Sequence, residues 1–145
     1  MRRFLTYVLA LVMTGSVAVM AQKAKTAEDL QKSMKKLGPA QQAATKAINA
    51  MAYADAKKQL GTMKTELTDA ESFWVLKKRT DAVQFSKDTV AKIDELDKLL
   101  DAKTPDQAAI TTAYRAVGAS CNTCHKVYRG TDENNQFIIK PGTVS

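Results

Sequence analysis

Histidine, cysteine, glycine and proline are scarce in this chain of 145 residues. There are one His, two Cys, six Gly and three Pro. One His and two Cys supply at most three of the four ligands of a structural zinc site, so carboxylates would have to complete it. No pair of strands joined by a hairpin turn is apparent, which argues against an all-β fold.

The charged residues are unevenly divided between the two signs. The chain has 22 Lys and Arg against 15 Asp and Glu, which gives a formal net charge of +7 at pH 7. Pairs of Lys occur at positions 35–36, 57–58 and 77–78. We favour a solvated surface as the explanation; the alternative is electrostatic steering towards an acidic partner. The basic residues are not interleaved with aromatic ones, so nucleic acid is not an expected partner.

The N-terminus has the pattern of a secretory signal peptide. Arg2 and Arg3 precede an uncharged, largely apolar stretch over residues 4–19, and Ala21 is a small residue suited to cleavage. An uncleaved membrane anchor is the alternative, but the apolar stretch is short and no stop-transfer pattern follows. We therefore expect residues 1–21 to be removed. The mature protein is then expected in the periplasm, without a membrane span.

Apolar residues at helical spacing predict four helices in the mature chain, of which the first two come before residue 68. Thr26 is the predicted N-cap of the first helix, because acidic residues follow it in the first turn. We expect this helix to continue, bent, through Pro39 to Ala50. The second helix is predicted over roughly Asp55 to Leu67.

The third and fourth helices have stronger start signals. Residues 68–71, Thr-Asp-Ala-Glu, form a capping box that predicts the start of the third helix, which ends near Ala102. Thr104 is the predicted N-cap of the fourth helix, with Pro105 at the first helical position and Gln107 completing the box. One face of this helix carries Ile110, Tyr114, Val117, Cys121, Cys124 and Tyr128 at spacings of three and four. Gly130 is expected to end it.

Four helices with short connections predict an all-α fold, an antiparallel up-and-down four-helix bundle. The predicted bundle covers residues 22–130, after the signal peptide at residues 1–21. Residues 131–145 are predicted to be a C-terminal tail, ordered at most in part.

The fourth helix carries the motif that indicates chemistry. Cys121-Asn122-Thr123-Cys124-His125 is C-x-x-C-H, the attachment signature of a c-type haem, and it contains every Cys and His of the chain. Two thiols one helical turn apart share a face, so both can add to the vinyl groups of one porphyrin. The imidazole at the next position lies beside them and can bind the iron. The motif therefore predicts one covalent haem c in the bundle, attached through Cys121 and Cys124, with His125 as the proximal ligand.

A helical protein without haem is the alternative to this interpretation. A zinc site would need carboxylates, as noted above. A disulfide between Cys121 and Cys124 would close a very short loop and leave His125 without a role. A thioredoxin-like redox motif is expected beside a βαβ unit, which the sequence lacks.

With this motif on its last helix, the sequence resembles the class II c-type cytochromes, the family of cytochrome c′ and cytochrome c556. Cytochrome c′ is itself a well-known up-and-down four-helix bundle. Family members continue after the His with two residues, an aromatic residue and Arg, and His125-Lys126-Val127-Tyr128-Arg129 fits. The resemblance covers Gln22 to about Arg129 and implies that Tyr128 and Arg129 lie in the haem pocket.

The resemblance also implies a residue for the other face of the haem. Residues 34–38, Met-Lys-Lys-Leu-Gly, match the family segment that carries the distal residue, which places Met34 there. In c556-type members this Met binds the iron, whereas in cytochrome c′ members an apolar residue leaves the site open to NO or CO. Met34 could also serve only as packing. Leu30 stands where members often carry an Arg near a haem propionate, with Gln31 and Lys35 as the available substitutes.

The expected function is that of a periplasmic monohaem electron carrier and not of an enzyme. Its iron would cycle between Fe(III) and Fe(II) with His125 and Met34 as ligands. Redox proteins are the expected partners, and the family often forms homodimers through its first two helices, which makes a homodimer one candidate assembly. The alternatives are a five-coordinate protein that binds NO or CO, and an exported helical protein without haem.

Overall fold

The computed structural model describes residues 26–144, which form four α-helices followed by a short hairpin. The elements are α1 (Ala27–Asn49), α2 (Tyr53–Leu76), α3 (Thr80–Leu100), α4 (Gln107–Tyr128), β1 (Arg129–Thr131) and β2 (Phe137–Ile139). Each helix packs against the next along the chain, as in an up-and-down bundle. The predicted all-α four-helix bundle is therefore confirmed. The predicted signal peptide, residues 1–21, lies outside the described residues.

Helix α1 begins and continues as the sequence predicts. Thr26 is its N-cap: the Thr26 hydroxyl accepts a hydrogen bond from the Asp29 N–H at 3.1 Å, and the Asp29 carboxylate accepts one from the Thr26 N–H at 3.1 Å. This capping box satisfies two backbone donors that the helix leaves without partners. The helix then runs through Pro39 without a break and ends at Asn49.

The boundary between α2 and α3 lies at residues 77–79, so the predicted start at Thr68 is wrong. Thr68 lies inside α2, where its hydroxyl donates to the Lys64 carbonyl at 2.9 Å, the usual bond of a Thr in a helix interior. The buried stripe of α2 continues across this position, from Leu67 through Ala70 to Trp74. The chain turns instead at Lys78, which has a φ of 55°.

The N-cap of helix α4 lies two residues after the predicted one, and the helix begins at Gln107. Asp106 caps it, and its Oδ1 accepts hydrogen bonds from the N–H groups of Ala108 and Ala109 at 2.8 and 3.2 Å. The assignment of Thr104 as N-cap is therefore wrong, because Asp caps a helix as well as Thr does and lies next to the first helical residue. The helix ends at Tyr128, before Gly130.

Part of the predicted tail forms a two-stranded antiparallel sheet that the sequence analysis did not anticipate. Strand β1 pairs with β2 in the register Arg129↔Ile139, Gly130↔Ile138 and Thr131↔Phe137. The Asp132 carboxylate accepts hydrogen bonds from the N–H groups of Asn134 and Gln136 at 2.9 and 2.8 Å, which closes the turn. Asn135 adopts a φ of 58°, a left-handed conformation that Asn tolerates.

The buried side chains form two clusters. The larger runs through the bundle and includes Ala44, Ile48, Leu60, Met63, Ile93, Leu96, Ile110 and Val117. The smaller cluster lies where α4 ends and consists of Leu30, Ala70, Phe73, Trp74, Ala82 and Tyr128. Burial of each large side chain stabilises the fold by about 1.5–3 kcal/mol. Within residues 26–144, no helix combines the length and the hydropathy of a membrane span.

Candidate haem site

A cavity of about 590 Å³ lies between the first part of α1, the last part of α4 and the hairpin. Side chains from α2 and α3 complete its wall, which is mostly apolar and includes Leu30, Leu37, Leu67, Trp74 and Phe85. Cavities of roughly 300–1,000 Å³ with apolar walls are typical of small-molecule and cofactor sites in proteins. The bundle therefore encloses a site for a large apolar ligand.

The three residues of the C-x-x-C-H motif all line this cavity. Cys121, Cys124 and His125 lie on the wall that α4 forms, and each side chain is partly buried. The two thiols are not joined by a disulfide. Helical spacing accounts for the arrangement, because residues three and four apart share one face. The structure thus brings two thiols and one imidazole to a single apolar cavity.

Burial sets the protonation of these three groups. It raises the pKa of the Cys121 thiol, and it raises that of Cys124 to about 11. Burial also lowers the pKa of His125, and the positive charge of Arg129 lowers it further. Both thiols are therefore neutral at pH 7. The imidazole is neutral too, which is the form that binds iron.

Two methionines line the cavity away from α4. Met34 belongs to α1 and is partly buried; its role as the distal residue stays a prediction. Met63 belongs to α2, is 1% exposed and lies outside the segment at residues 34–38 that matches the family's distal residue. Its place in the regular apolar stripe of α2 was its only signal, and every other core residue shares that signal. Met51 is 63% exposed and lies outside the cavity wall.

Tyr128 lies in the cavity wall and is held by neighbours from α2 and α3. Its hydroxyl donates a hydrogen bond to Asp81 at 2.5 Å, and its ring centre lies 4.6 Å from that of Trp74. Burial, together with the bond to Asp81, raises the pKa of Tyr128 to about 12. The Arg79 guanidinium bonds the same carboxylate at 3.2 Å and lies 5.0 Å from the Tyr128 ring centre. Arg79 and Tyr128 together lower the pKa of Asp81 to about 2.

Sequence reasoning missed the roles of Arg79 and Asp81. The predicted third helix ran through both positions, so nothing indicated that the chain turns there. Nothing in the sequence around these two residues distinguishes them from other charged pairs.

Four further polar residues lie at the border of the cavity. Arg129 is exposed, and its guanidinium stacks 3.2 Å from the centre of the Phe137 ring. Gln31 and Lys35 also line the cavity, beside the Leu30 position where family members often carry an Arg. The Gln31 amide donates to the Phe137 carbonyl at 2.8 Å, and Gln136 of the hairpin completes this polar border.

The residues present fit a covalently attached haem better than a zinc ion. Within residues 26–144, no group of three or more His, Cys, Asp or Glu side chains is placed to hold a metal ion. The cavity instead offers two neutral thiols one helical turn apart, a neutral imidazole beside them and apolar walls. This combination suits a porphyrin, whose iron needs an axial nitrogen and whose macrocycle is apolar.

A comparison with protein families identifies the family of this chain. The family model described as Cytochrome C′ matches residues 12–129, which is most of the sequence. The chain belongs to the cytochrome c′ family. As a member it is a c-type haem protein, and membership in the cytochrome c′ family argues against the helical bundle without haem. Searches among curated proteins and among solved structures find no match. The cytochrome c′ match ends at Arg129, so most of the hairpin lies beyond it.

Proposed function

We propose that this member of the cytochrome c′ family is an exported electron carrier and not an enzyme. Its one haem is attached through Cys121 and Cys124. His125 and Met34 would hold its iron. The haem would supply a centre that takes up one electron from a redox partner and passes it on, and no substrate would be transformed.

The observation that carries this proposal is the position of Met34. It lines the same cavity as His125, but from α1 instead of α4. A thioether is a neutral ligand that favours ferrous iron and raises the reduction potential. If His125 and Met34 both hold the iron, small gases would find no open coordination site. This distinguishes an electron carrier from a gas-binding protein.

The other cavity residues suit electron transfer without substrate chemistry. Leu30, Trp74 and Phe85 contribute apolar surface that excludes water from the haem. A poorly solvated haem favours the less charged ferrous state, which also raises the potential. Arg129 and Lys35 are exposed at the border of the cavity and place positive charge where an acidic redox protein could approach. We expect electron exchange with such a partner to slow as ionic strength rises.

Export to the periplasm is part of the same proposal. Its support is the signal pattern of residues 1–21, with the apolar stretch at residues 4–19 and Ala21 at the cleavage position. Mass spectrometry of the protein from a periplasmic extract should give an N-terminus at Gln22. A chain that begins at Met1 would contradict cleavage.

The decisive experiment replaces Met34 and compares that variant with one in which a different methionine is replaced. Wild-type protein should give a low-spin spectrum with a Met–iron charge-transfer band, and CO should leave the ferrous spectrum unchanged. Met34→Leu should lose the band, become high-spin and bind CO. Met51→Leu is the matched control, because Met51 is exposed and outside the cavity, and it should behave as wild type.

Three outcomes would contradict the ligand assignment. A wild-type protein that is high-spin and binds CO would favour the gas-binding alternative. A Met34→Leu protein with an unchanged spectrum would show that Met34 is only packing. If Met63→Leu alone abolished the charge-transfer band, Met63 would be the ligand in place of Met34.

A further inference from the structure

The hairpin at residues 129–139 forms part of the cavity wall, although most of it lies beyond the family match. Residues 136–139 line the cavity together with the haem-binding motif. Strand β1 follows α4 directly, so the hairpin begins four residues after His125. Its position next to both α1 and α4 places it over the border where these two helices meet the cavity.

Hydrogen bonds hold the hairpin and the residues after it to the helices. The Gln31 side chain of α1 donates to the Phe137 carbonyl at 2.8 Å. The Lys140 N–H donates to the carbonyl of Tyr128, the last residue of α4, at 2.7 Å. The guanidinium of Arg79, between α2 and α3, donates to the Thr143 carbonyl. The segment is thus bound to three separate parts of the bundle.

Apolar contacts add to these bonds. Ile139 and Val144 pack against the smaller core cluster, which contains Leu30, Trp74 and Tyr128. Close packing of the two strands depends on Gly130, because a Cβ there would lie 3.3 Å from the Lys140 Cα. Ile138 and Ile139 are partly buried and line the cavity, whereas Phe137 is 55% exposed and residues 133–136 of the turn are exposed.

We propose that this hairpin is a haem-covering segment. Ile138 and Ile139 pack against the border of the bound haem between α1 and α4, and they keep water and small solutes from it. The inference rests on the attachment of haem at Cys121 and Cys124 and is independent of whether Met34 binds the iron. Two properties follow: a higher reduction potential, because burial favours the less charged ferrous state, and slower attack by small reductants.

The first test loosens the hairpin at a point outside the cavity. Asp132→Ala removes the carboxylate that accepts two backbone N–H groups in the turn. Glu133→Ala is the matched control, because it removes the same charge at the next position from an exposed side chain. Both variants are made as full-length protein with haem attached. The readouts are hydrogen exchange of the hairpin amides, the reduction potential and the rate of reduction by dithionite.

We expect Asp132→Ala to speed hydrogen exchange in residues 130–140, to lower the potential and to raise the dithionite rate several-fold. Glu133→Ala should leave hydrogen exchange unchanged and change the other two readouts much less. The proposal is overturned if Asp132→Ala loosens the hairpin while the potential and the rate match those of Glu133→Ala. It is overturned equally if the hairpin amides of the wild-type protein exchange as fast as an unfolded chain.

A second pair of variants tests the apolar contact itself. Ile138→Ala shortens a side chain in the cavity wall, whereas Leu76→Ala shortens one that is 59% exposed and outside it. Ile138→Ala should lower the potential and speed dithionite reduction while the haem stays covalently attached. Leu76→Ala should change neither. Equal effects of the two variants, or none in Ile138→Ala, would contradict the proposal whatever the sixth ligand is.

Discussion

The two ends of the bundle are held together by different kinds of contact. Where α1 ends and α4 begins, the helices bond directly: the Gln107 amide donates to the Ile48 carbonyl at 3.2 Å, and the hydroxyls of Thr45 and Tyr114 share a hydrogen bond at 2.9 Å. Where α1 begins and α4 ends, the same helices line the cavity, and the hairpin connects them through Gln31. We call these the packed end and the cavity end.

The side chains at the packed end stabilise the fold, whereas those at the cavity end form the site for the cofactor. The packed end contains fully buried side chains such as Ile110 and Val117, which need no cofactor to fill the space between the helices. The cavity end leaves that space to the haem, which then contributes to stability because it is tied to α4. We therefore expect changes at the two ends to affect different measurements.

Loss of haem attachment is the largest expected effect and should act on the cavity end. Cys121→Ser combined with Cys124→Ser removes both thioether bonds, so no haem should remain on the chain after denaturation. Hydrogen exchange should then accelerate in the first part of α1 and in residues 121–139, and much less around Ile110. Haem staining of denaturing gels and hydrogen-exchange mass spectrometry measure the two effects. Equal acceleration of hydrogen exchange at both ends would show that the haem does not stabilise the cavity end in particular.

A cavity in the packed end should lower stability without altering the haem. Ile110→Ala removes a fully buried side chain and should lower the free energy of unfolding by about 2–5 kcal/mol. The visible spectrum should match that of wild type. Urea unfolding followed by far-ultraviolet circular dichroism measures the change, with exposed Leu76→Ala expected within about 0.5 kcal/mol of wild type. A changed haem spectrum in Ile110→Ala would mean that the two ends are coupled.

A smaller effect is expected where α4 meets the turn between α2 and α3. Tyr128→Phe removes the hydroxyl that donates to Asp81, while Asp81 keeps its bonds to Arg79. One lost hydrogen bond should lower the free energy of unfolding by about 0.5–1.5 kcal/mol. Tyr53→Phe is the control, because it removes a single hydroxyl bond, to Gln107, at the packed end. If Tyr128→Phe also detached the haem, the role of Tyr128 would extend beyond holding α4.

The smallest effect is a pH dependence at the same position. Arg79 and Tyr128 lower the pKa of Asp81 from 3.8 to about 2, so the folded state holds this proton less tightly than the unfolded state does. The resulting stabilisation is fully present above pH 3.8 and is lost as the pH falls towards 2. Asp81→Asn should therefore be less stable than wild type at pH 6, and the difference should narrow as the solution is acidified. A difference that stays constant down to pH 2 would contradict this assignment.

The sequence was most informative where a short pattern determines local geometry. The C-x-x-C-H spacing placed two thiols and one imidazole on one helical face, and the N-cap pattern at Thr26 located the start of α1. The capping box at Thr68 had the same local form but lies inside α2, because the buried stripe continues to Trp74. Tertiary packing determines which of the two patterns starts a helix, and a pattern of four residues carries no information about that packing.

Other features had no adequate sequence signal. The strands of the hairpin have three residues each, too few for an alternating pattern to be recognised. The turn at Lys78 requires a left-handed conformation from a residue that carries no preference for it. Met63 resembles any other core residue of α2, so its place beside the cavity emerges only from the fold.

The most direct test of the central claim is the visible spectrum of the reduced wild-type protein, recorded before and after addition of CO. We expect a low-spin haem that remains bound to the chain and a spectrum that CO leaves unchanged, because the proposed ligands His125 and Met34 would leave no open coordination site. A spectrum that shifts on addition of CO would show an open iron site and would contradict the proposed function as an electron carrier.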